Sequence, residues 1–258
     1  MVKPRVTAVL LIASCLACAG EARAFSFSVQ PSRIELSVPA GKQRGKSVTI
    51  DNSKAETPVH IKVYAQDIVF LPDGTNKFLT PGTTEWSCAK WLKVLPTEVD
   101  IQAGEVQDVR VSVTVPKEAR GGYYAMLFFE SSPSYVEKGL GINFRIGALT
   151  QVVIPGTETY EAKLADISVV EGKDLHVEIF NGSNVLIRPR GTIKIFGADE
   201  KKIAQRDFNP PGAGILPKTL RKFHVDLGPL PAGAYRLKAE IDFGTPYLLV
   251  GERSFKIQ

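Results

Sequence analysis

Three histidines are the residues of this 258-residue chain best able to do chemistry. They are His60, His176 and His224, and each is flanked by aliphatic residues in a stretch typical of a β-strand. An imidazole can act as a base or hold a metal ion, but a metal site needs further ligands close by. None of the three has another histidine or a cysteine at metal-ligand spacing. The sequence therefore predicts ordinary strand histidines and no metal site.

Cys88 is the next candidate, because a cysteine can be a nucleophile. Its neighbours Trp86, Ser87 and Lys90 include no histidine to activate it, which favours an inert thiol. The stretch 214–219 ends in Lys-Thr, as phosphate-binding loops do, but it lacks their leading glycine spacing. No G-x-S-x-G nucleophile elbow is present either. We therefore expect a protein that is not an enzyme and that uses no cofactor and no small-molecule substrate.

The elements that would position these side chains are short strands. The valines at positions 109, 111, 113 and 115 alternate with polar residues, and Pro116 follows. A period of two is typical of a strand with one buried face. Residues 59–64 alternate in the same way, whereas 123–129 is an almost continuous apolar and aromatic run that suits a central strand. No amphipathic stretch longer than two helical turns occurs, so the sequence predicts an all-β fold.

A polar break at Pro155–Thr159 divides the strands into two sets. Beyond it we expect strands at 164–170, 175–180, 192–196, 220–227, 235–243 and 247–257, separated by Gly, Pro and Asn turns. Short strands at this spacing, in two sets, favour two immunoglobulin-like β-sandwich domains in tandem. We place them at 25–155 and 156–258. A single large barrel is the alternative, and the central polar break disfavours it.

The first 24 residues have the pattern of a cleaved signal peptide. A basic start at residues 1–5 precedes an apolar stretch at 6–20, and Ala22-Arg23-Ala24 supplies the small residues that a signal peptidase reads. We expect cleavage after Ala24 and export to the periplasm. The alternative is a lipoprotein signal with attachment at Cys15, but the apolar sequence continues past that residue.

Removal of the signal leaves a mildly basic mature chain with one thiol. Loss of Lys3, Arg5, Arg23 and Glu21 reduces 32 basic and 27 acidic residues to 29 and 26, so the net charge falls from +5 to +3. The basic residues form no dense run, which excludes the usual signature of nucleic-acid binding. With Cys88 as its one remaining cysteine, the exported chain forms no internal disulfide.

Four stretches of the first predicted domain have a distinctive combination of residues. They are 29–36, with an arginine ahead of its apolar residues; 48–53, which ends in Asp-Asn-Ser; 91–111, with Trp-Leu-Lys-Val-Leu-Pro at its start; and 141–155. Together they resemble the PapD-like periplasmic chaperones of the chaperone–usher pilus pathway. The resemblance covers about residues 26 to 155. The second domain resembles bacterial immunoglobulin-like modules in general.

The resemblance implies that the strand from Gly141 to Pro155 is lent to an incomplete pilin-like subunit. The alternating residues Ile142, Phe144 and Ile146 would then insert into the groove of the subunit. The competing interpretation is that these side chains fill the protein's own core. The implied partners are pilin-like subunits and, as a second partner, an outer-membrane usher.

The resemblance also implies a cleft that holds the C-terminal carboxylate of the subunit. Arg33 matches the arginine that the family uses for this purpose, with a guanidinium suited to a carboxylate. The lysine that accompanies it in the family is missing, because the end of the strand reads Leu-Thr-Gln-Val, with Gln151 as a neutral substitute. Arg145 lies too early along the strand to take its place.

Two functional hypotheses follow from these patterns. The first is a periplasmic chaperone that stabilises pilin-like subunits by strand donation. The second is an exported structural or adhesive protein whose domains bind cell-envelope components, and the missing lysine favours it. An alternating apolar strand in an exported sandwich, with Arg33 on the first strand, favours the chaperone.

Overall fold

A computed structural model describes residues 27–132 and 143–258, together with the backbone of 136–137 and 140–141. The predicted signal peptide at 1–24, the alternative attachment site Cys15, and Ile142 lie outside the described residues. In the described part of the chain, the only helix is a single 3₁₀ turn at Ala89–Trp91. No helix within those residues has the length and apolar character needed to cross a membrane.

The described residues up to 154 form the strands of the first sandwich. They are β1 (Ser28–Gln30), β2 (Arg33–Ser37), β3 (Gln43–Asp51), β4 (Val59–Phe70), β5 (Asn76–Leu79), β6 (Leu92–Leu95), β7 (Glu98–Ile101), β8 (Val106–Thr114), β9 (Gly121–Ser131), β10 (Val136–Glu137), β11 (Leu140–Gly141) and β12 (Arg145–Ile154). One sheet has the order β1-β3-β8-β6, and the other has the order β2-β12-β9-β4-β5 with β7 also on β4, while β10 and β11 pair with each other as a separate two-stranded sheet. The chain crosses from one sheet to the other between β1 and β2.

Alternating side chains of the two sheets meet in the first core. On β8, Val109, Val111 and Val113 are fully buried, as their spacing predicts. Ala125, Leu127 and Phe129 of β9 face them from the other sheet and are also fully buried. The opposite face of β9 is covered as well, because Tyr124, Met126 and Phe128 pack there in a second apolar cluster, which explains the nearly continuous apolar sequence of the strand.

The second sandwich follows after a short connection. Its strands are β13 (Ala162–Val170), β14 (Asp174–Asn181), β15 (Arg190–Phe196), β16 (Lys202–Phe208), β17 (Leu220–Asp226), β18 (Gly233–Asp242) and β19 (Leu248–Ile257). The sheets have the orders β13-β14-β17 and β16-β15-β18-β19, and a separate apolar core lies between them. The predicted fold class, two immunoglobulin-like β-sandwiches in tandem, is confirmed. Strand β16 was not predicted from the sequence.

A small apolar cluster joins the two sandwiches. Leu186 and Leu216 of the second sandwich pack with Tyr124, Met126 and Phe128 on the outer face of β9. The Leu186 N–H donates a hydrogen bond to the Tyr124 hydroxyl at 2.5 Å. These contacts fix the second sandwich beside the sheet that contains β12.

Glycine at position 121 permits this close approach. Gly121 has φ of +77°, and a Cβ atom there would lie 2.5 Å from the carbonyl oxygen of Asn184 in the second sandwich. A residue with a side chain would therefore meet both backbone strain and a collision. Gly122 N–H donates to the same Asn184 carbonyl at 2.9 Å.

Candidate functional site

The outer edge of β12 is covered along only part of its length. The strand pairs antiparallel with β9 from Arg145 to Ile154, but it pairs with β2 only from Leu149 to Val153. Leu149 N–H donates to the Ser32 carbonyl at 3.3 Å, where this coverage begins. In the part of the chain that the structure describes, no strand covers the outer edge at residues 145–148.

This arrangement corrects the expectation that the whole strand from Gly141 to Pro155 can be shared with another chain. The strand begins at Arg145, and its second half is paired with the protein's own β2. Because Leu149 directs its N–H outward, alternation directs the backbone groups of Arg145 and Gly147 outward as well. The edge that remains open is therefore short and lies at the beginning of β12.

The side chains of β12 on the core side become more exposed toward this open end. Val152 and Ala148 are fully buried, and Ile146 is partly buried at the rim of the first core. Phe144, just before the strand, is 43% exposed, and its N–H donates to the Ser131 hydroxyl at 2.9 Å. Each of the two interpretations therefore describes one of these residues. Ile146 lies at the rim of the protein's own core, whereas the side chain of Phe144 is exposed.

Arg145 lies on the opposite face of the sheet. Its guanidinium carbon is 4.3 Å from the centre of the Phe128 ring, and Nη1 is 3.5 Å from the Tyr64 hydroxyl. Burial and the hydrogen bond to Glu130 raise the pKa of Tyr64, so this hydroxyl stays protonated. Arg145 is thus held at the start of β12 and away from its far end, as expected from the sequence.

Arg33 and Gln151 lie near the point where β2 joins β12. Arg33 is opposite Leu149 in the parallel register, and Gln151 is opposite Glu35. The Arg33 guanidinium is about half exposed and is 3.8 Å from the Glu35 carboxylate, with which it forms a surface ion pair. Pairs of this kind contribute little to stability, so the guanidinium can exchange its partner at low cost.

A second guanidinium reaches this place from the other sandwich. Arg188, between β14 and β15, directs Nη2 to the Gln151 amide oxygen at 3.4 Å. Burial lowers the pKa of Arg188, and the positive charge of Arg33 lowers it further. Among the described residues, no carboxylate lies within 4.0 Å of Arg188. Two arginines and the Gln151 amide thus meet in a cleft between the sandwiches. The cleft keeps a net positive charge, although the Glu35 carboxylate offsets part of it and acts to raise the pKa of Arg188.

Sequence reasoning missed Arg188 because nothing local distinguishes it. It lies 37 residues from Gln151 in the chain, in a connecting segment of the domain with the weaker resemblance. Arg188 is brought to β12 by the contacts between the domains, among them the packing of Leu186, two residues before it, against Tyr124. A pairing that depends on the mutual placement of two domains leaves no periodic signal in either of them.

The other candidates for chemistry are mostly committed to structure. Cys88 is fully buried in the first core, and burial raises the pKa of its thiol far above the usual value, which suits the inert role expected of it. In the segment 214–219, Ile215 and Leu216 are fully buried, and the Lys218 ammonium donates to the Gly182 carbonyl. That segment therefore packs inward and presents no phosphate-binding loop.

The histidines are arranged differently from one another. His60 Nδ1 lies 2.8 Å from Asp100 across the β4–β7 pair, with no other histidine at hand. His176 and His224, by contrast, are directly opposite each other on β14 and β17, with ring centres 4.4 Å apart. The spacing along the chain did not predict this contact.

Comparison with solved structures finds the same two-domain fold in fimbrial chaperones. A chain from a chaperone–tip adhesin complex of CFA/I fimbriae biogenesis has a TM-score of 0.52 and 16% identity, covering 89% of this chain and 98% of that one. The class 5 fimbriae chaperone CfaA has a TM-score of 0.51 and 18% identity, covering 90% and 100%. A chain of the CsuC–CsuE chaperone–tip adhesion subunit complex from Acinetobacter baumannii has a TM-score of 0.50 and 12% identity, covering 88% and 98%.

No protein-family model matches the chain, and no curated protein matches it either. At identities this low, the structural likeness establishes the fold. The chain therefore has the two-sandwich fold of the PapD-like fimbrial chaperones, and the resemblance predicted from its sequence is confirmed at this level.

Proposed function

We propose that this protein is a periplasmic chaperone that binds pilin-like subunits and stabilises them by lending the beginning of β12 as an additional strand. The observation that carries the proposal is the uncovered edge at residues 145–148, next to the exposed ring of Phe144. Two of the similar chains come from complexes of a chaperone with a tip adhesin or tip subunit. An incomplete subunit of this kind is the partner that we assign, with an outer-membrane usher as the receiver of the complex.

Backbone pairing supplies part of the interaction. A subunit strand placed at the open edge would accept from and donate to the outward groups of Arg145 and Gly147, and each hydrogen bond contributes about 0.5–1.5 kcal/mol. Phe144 and Ile146, with Ile142 before them, would enter the subunit's groove from the same face. Burial of each such side chain contributes about 1.5–3 kcal/mol before ordering costs are subtracted.

The charged cleft supplies a second point of attachment. A terminal carboxylate placed between Arg33 and Arg188 would relieve the repulsion between the two guanidinium groups and form charge-assisted hydrogen bonds with both. Arg188 would thereby provide the positive charge that the missing lysine does not. This removes the reason for favouring a structural or adhesive role over a chaperone.

The test is complex formation with a candidate pilin-like subunit, produced without its own N-terminal extension. Phe144→Asp should abolish the complex, because a carboxylate cannot enter an apolar groove without a large desolvation cost. Ile203→Asp is the matched control, since Ile203 is 48% exposed on the second sandwich and should bind as wild type does. Thermal unfolding of both variants checks that they fold.

Hydrogen exchange gives an independent measure of strand addition. In the complex, the amides of Arg145 and Gly147 should gain protection, whereas the amide of Leu149 is already bonded to Ser32 and should change little. Retained binding by folded Phe144→Asp, or no gain of protection at Arg145 and Gly147, contradicts strand donation. Binding to cell-envelope polymer without any subunit complex would favour the structural role.

A further inference from the structure

The second sandwich carries a cluster of two histidines and one aspartate on a single sheet face. His176 on β14 is directly opposite His224 on β17, and Asp174 lies two residues before His176, so that strand alternation directs all three side chains to the same side. The Asp174 Oδ2 atom is 3.1 Å from His176 Nε2 and 3.4 Å from His224 Nδ1. One ligand atom from each residue lies within 4.8 Å of the other two.

The cluster faces outward and can be reached from solvent. Leu175 and Val177, the neighbours of His176 along β14, are fully buried in the second core, so His176 projects from the other face. The side chains of His176, Asp174 and His224 are 19%, 41% and 54% exposed, in that order. The site is therefore partly sheltered at His176 and open above His224.

The spacing of these ligand atoms suits a tetrahedral metal ion. Zinc lies about 2.0–2.2 Å from imidazole nitrogen and carboxylate oxygen, which places ligand atoms about 3.4 Å from one another. The distances of 3.1 and 3.4 Å from the shared Asp174 oxygen already fall near that value. An exposed site with three protein ligands leaves the fourth position for water.

The surrounding charges also favour a cation. Asp226 is opposite Asp174 in the same pairing and adds a second negative charge at this end of the sheet. The nearest lysine in the pairing, Lys222, is opposite Glu178 and forms a 2.9 Å ion pair with it. The Glu178 carboxylate thus neutralises the Lys222 ammonium, and this ion pair lies on the other side of His176 from Asp174.

We propose that Asp174, His176 and His224 form a binding site for a divalent transition-metal ion, with Zn²⁺ as the occupant that the ligand set fits. The ion would link β14 to β17 and would stabilise the folded second sandwich through its preference for that state. The inference is independent of strand donation, because the site lies in the second sandwich and the donated edge in the first.

Titration calorimetry on tag-free, chelator-treated mature protein tests the site with Zn²⁺ as the probe and Mg²⁺ for comparison. We expect one Zn²⁺ per chain, a higher melting temperature in its presence and no response to Mg²⁺, which is bound through oxygen ligands. His176→Ala, His224→Ala and Asp174→Asn should each weaken Zn²⁺ binding by more than about tenfold. Loss of a residue that only hydrogen-bonds to a metal ligand already lowers metal affinity by about tenfold or more.

The matched control is His60→Ala. His60 also lies beside two carboxylates, Asp100 and Glu98, but it has no histidine opposite it. This variant should bind Zn²⁺ as wild type does. Cobalt substitution adds a spectroscopic readout, because tetrahedral nitrogen–oxygen ligation gives visible absorption that His224→Ala should remove. Failure of wild type to bind Zn²⁺, or unchanged binding after His224→Ala, would overturn the proposal.

Discussion

The Arg188 guanidinium meets the Gln151 amide oxygen at 3.4 Å, and this contact joins the second sandwich to the strand that we propose to be shared. Gln151 cannot itself supply the charge that a carboxylate needs, but Arg188 brings that charge to the same place. The cleft is therefore built from both domains, although the sequence resemblance was stronger in the first domain.

Arg188→Ala and Arg33→Ala should each weaken subunit binding. Loss of a hydrogen bond to an ionised group costs about 1.5–3 kcal/mol, so affinity should fall about ten- to hundredfold. Arg253→Ala, an exposed arginine on β19, is the control and should have no effect. Binding is measured by surface plasmon resonance. If the terminal carboxylate is the ligand, a subunit with an amidated C-terminus should bind weakly, and with the same affinity, to the wild-type protein and to both variants.

Tyr124→Phe should destabilise the protein by about 1–3 kcal/mol, because it leaves the buried Leu186 N–H without its acceptor. The apolar packing of the ring against Leu186 and Leu216 is retained in this variant. Tyr247→Phe, at a residue that is 80% exposed, should leave stability unchanged. Denaturant unfolding compares the two, and equal stabilities would contradict a role for the hydroxyl in joining the domains.

Asn52→Ala should also reduce stability, by about 2 kcal/mol. The Asn52 side chain is nearly fully buried, and its amide nitrogen donates to the carbonyls of Thr57 at 3.0 Å and Gln102 at 3.1 Å. Removal leaves these partly buried carbonyl groups without the Asn52 donor. Asn76→Ala, on the exposed surface of β5, is the comparison. Similar midpoints of urea unfolding for the two variants would be inconsistent with this anchoring role.

The stability of the first sandwich should depend on the ionisation of Asp67. Burial acts to raise the pKa of Asp67, but hydrogen bonds from Ser87 and from the N–H groups of Thr84, Gly82 and Thr83 outweigh it and lower the pKa below 3.8. A lowered folded-state pKa stabilises the fold above the unfolded value, and this contribution is lost as the pH falls through the folded pKa.

Asp67→Asn should therefore be less stable than wild type at neutral pH. The difference should begin to shrink as the pH falls through the ordinary carboxyl pKa, where the unfolded chain takes up its proton, and should be lost once the pH has fallen through the lowered pKa of folded Asp67. Unfolding measured from pH 7 down to pH 2 provides the comparison. Asp207→Asn is a useful control, because Asp207 is an exposed carboxylate on β16. A difference for Asp67→Asn that is independent of pH would contradict this assignment.

Much of the fold could be predicted from the sequence because each strand with one buried face carries its own alternation. The valines of β8 indicate a strand with one buried face, and the apolar run of β9 indicates a central strand that is buried on both faces. The structure shows both features. Strand β16 was missed because only Phe208 of its residues is fully sheltered, so that its exposed Lys202 and Ile203 obscure the pattern.

The proposed metal site and the proposed subunit-binding site were less predictable, because each depends on residues that are distant in the chain. Asp174 and His224 are 50 residues apart, and only the register of β14 with β17 brings them together. The covering of Leu149–Val153 by β2 likewise depends on a crossover between sheets, which side-chain periodicity does not encode. Arg33 was identified through the resemblance, whereas its companion Arg188 required the packing of two domains.

The starting point of β2 has a consequence for any guest strand. Because Arg33 is opposite Leu149, a strand laid along the open part of β12 must halt where β2 begins. If strand donation operates as proposed, a guest strand that runs parallel to β12 would end beside Arg33. Subunits with unrelated side chains would then bind in one register, as long as their chains end at the same point.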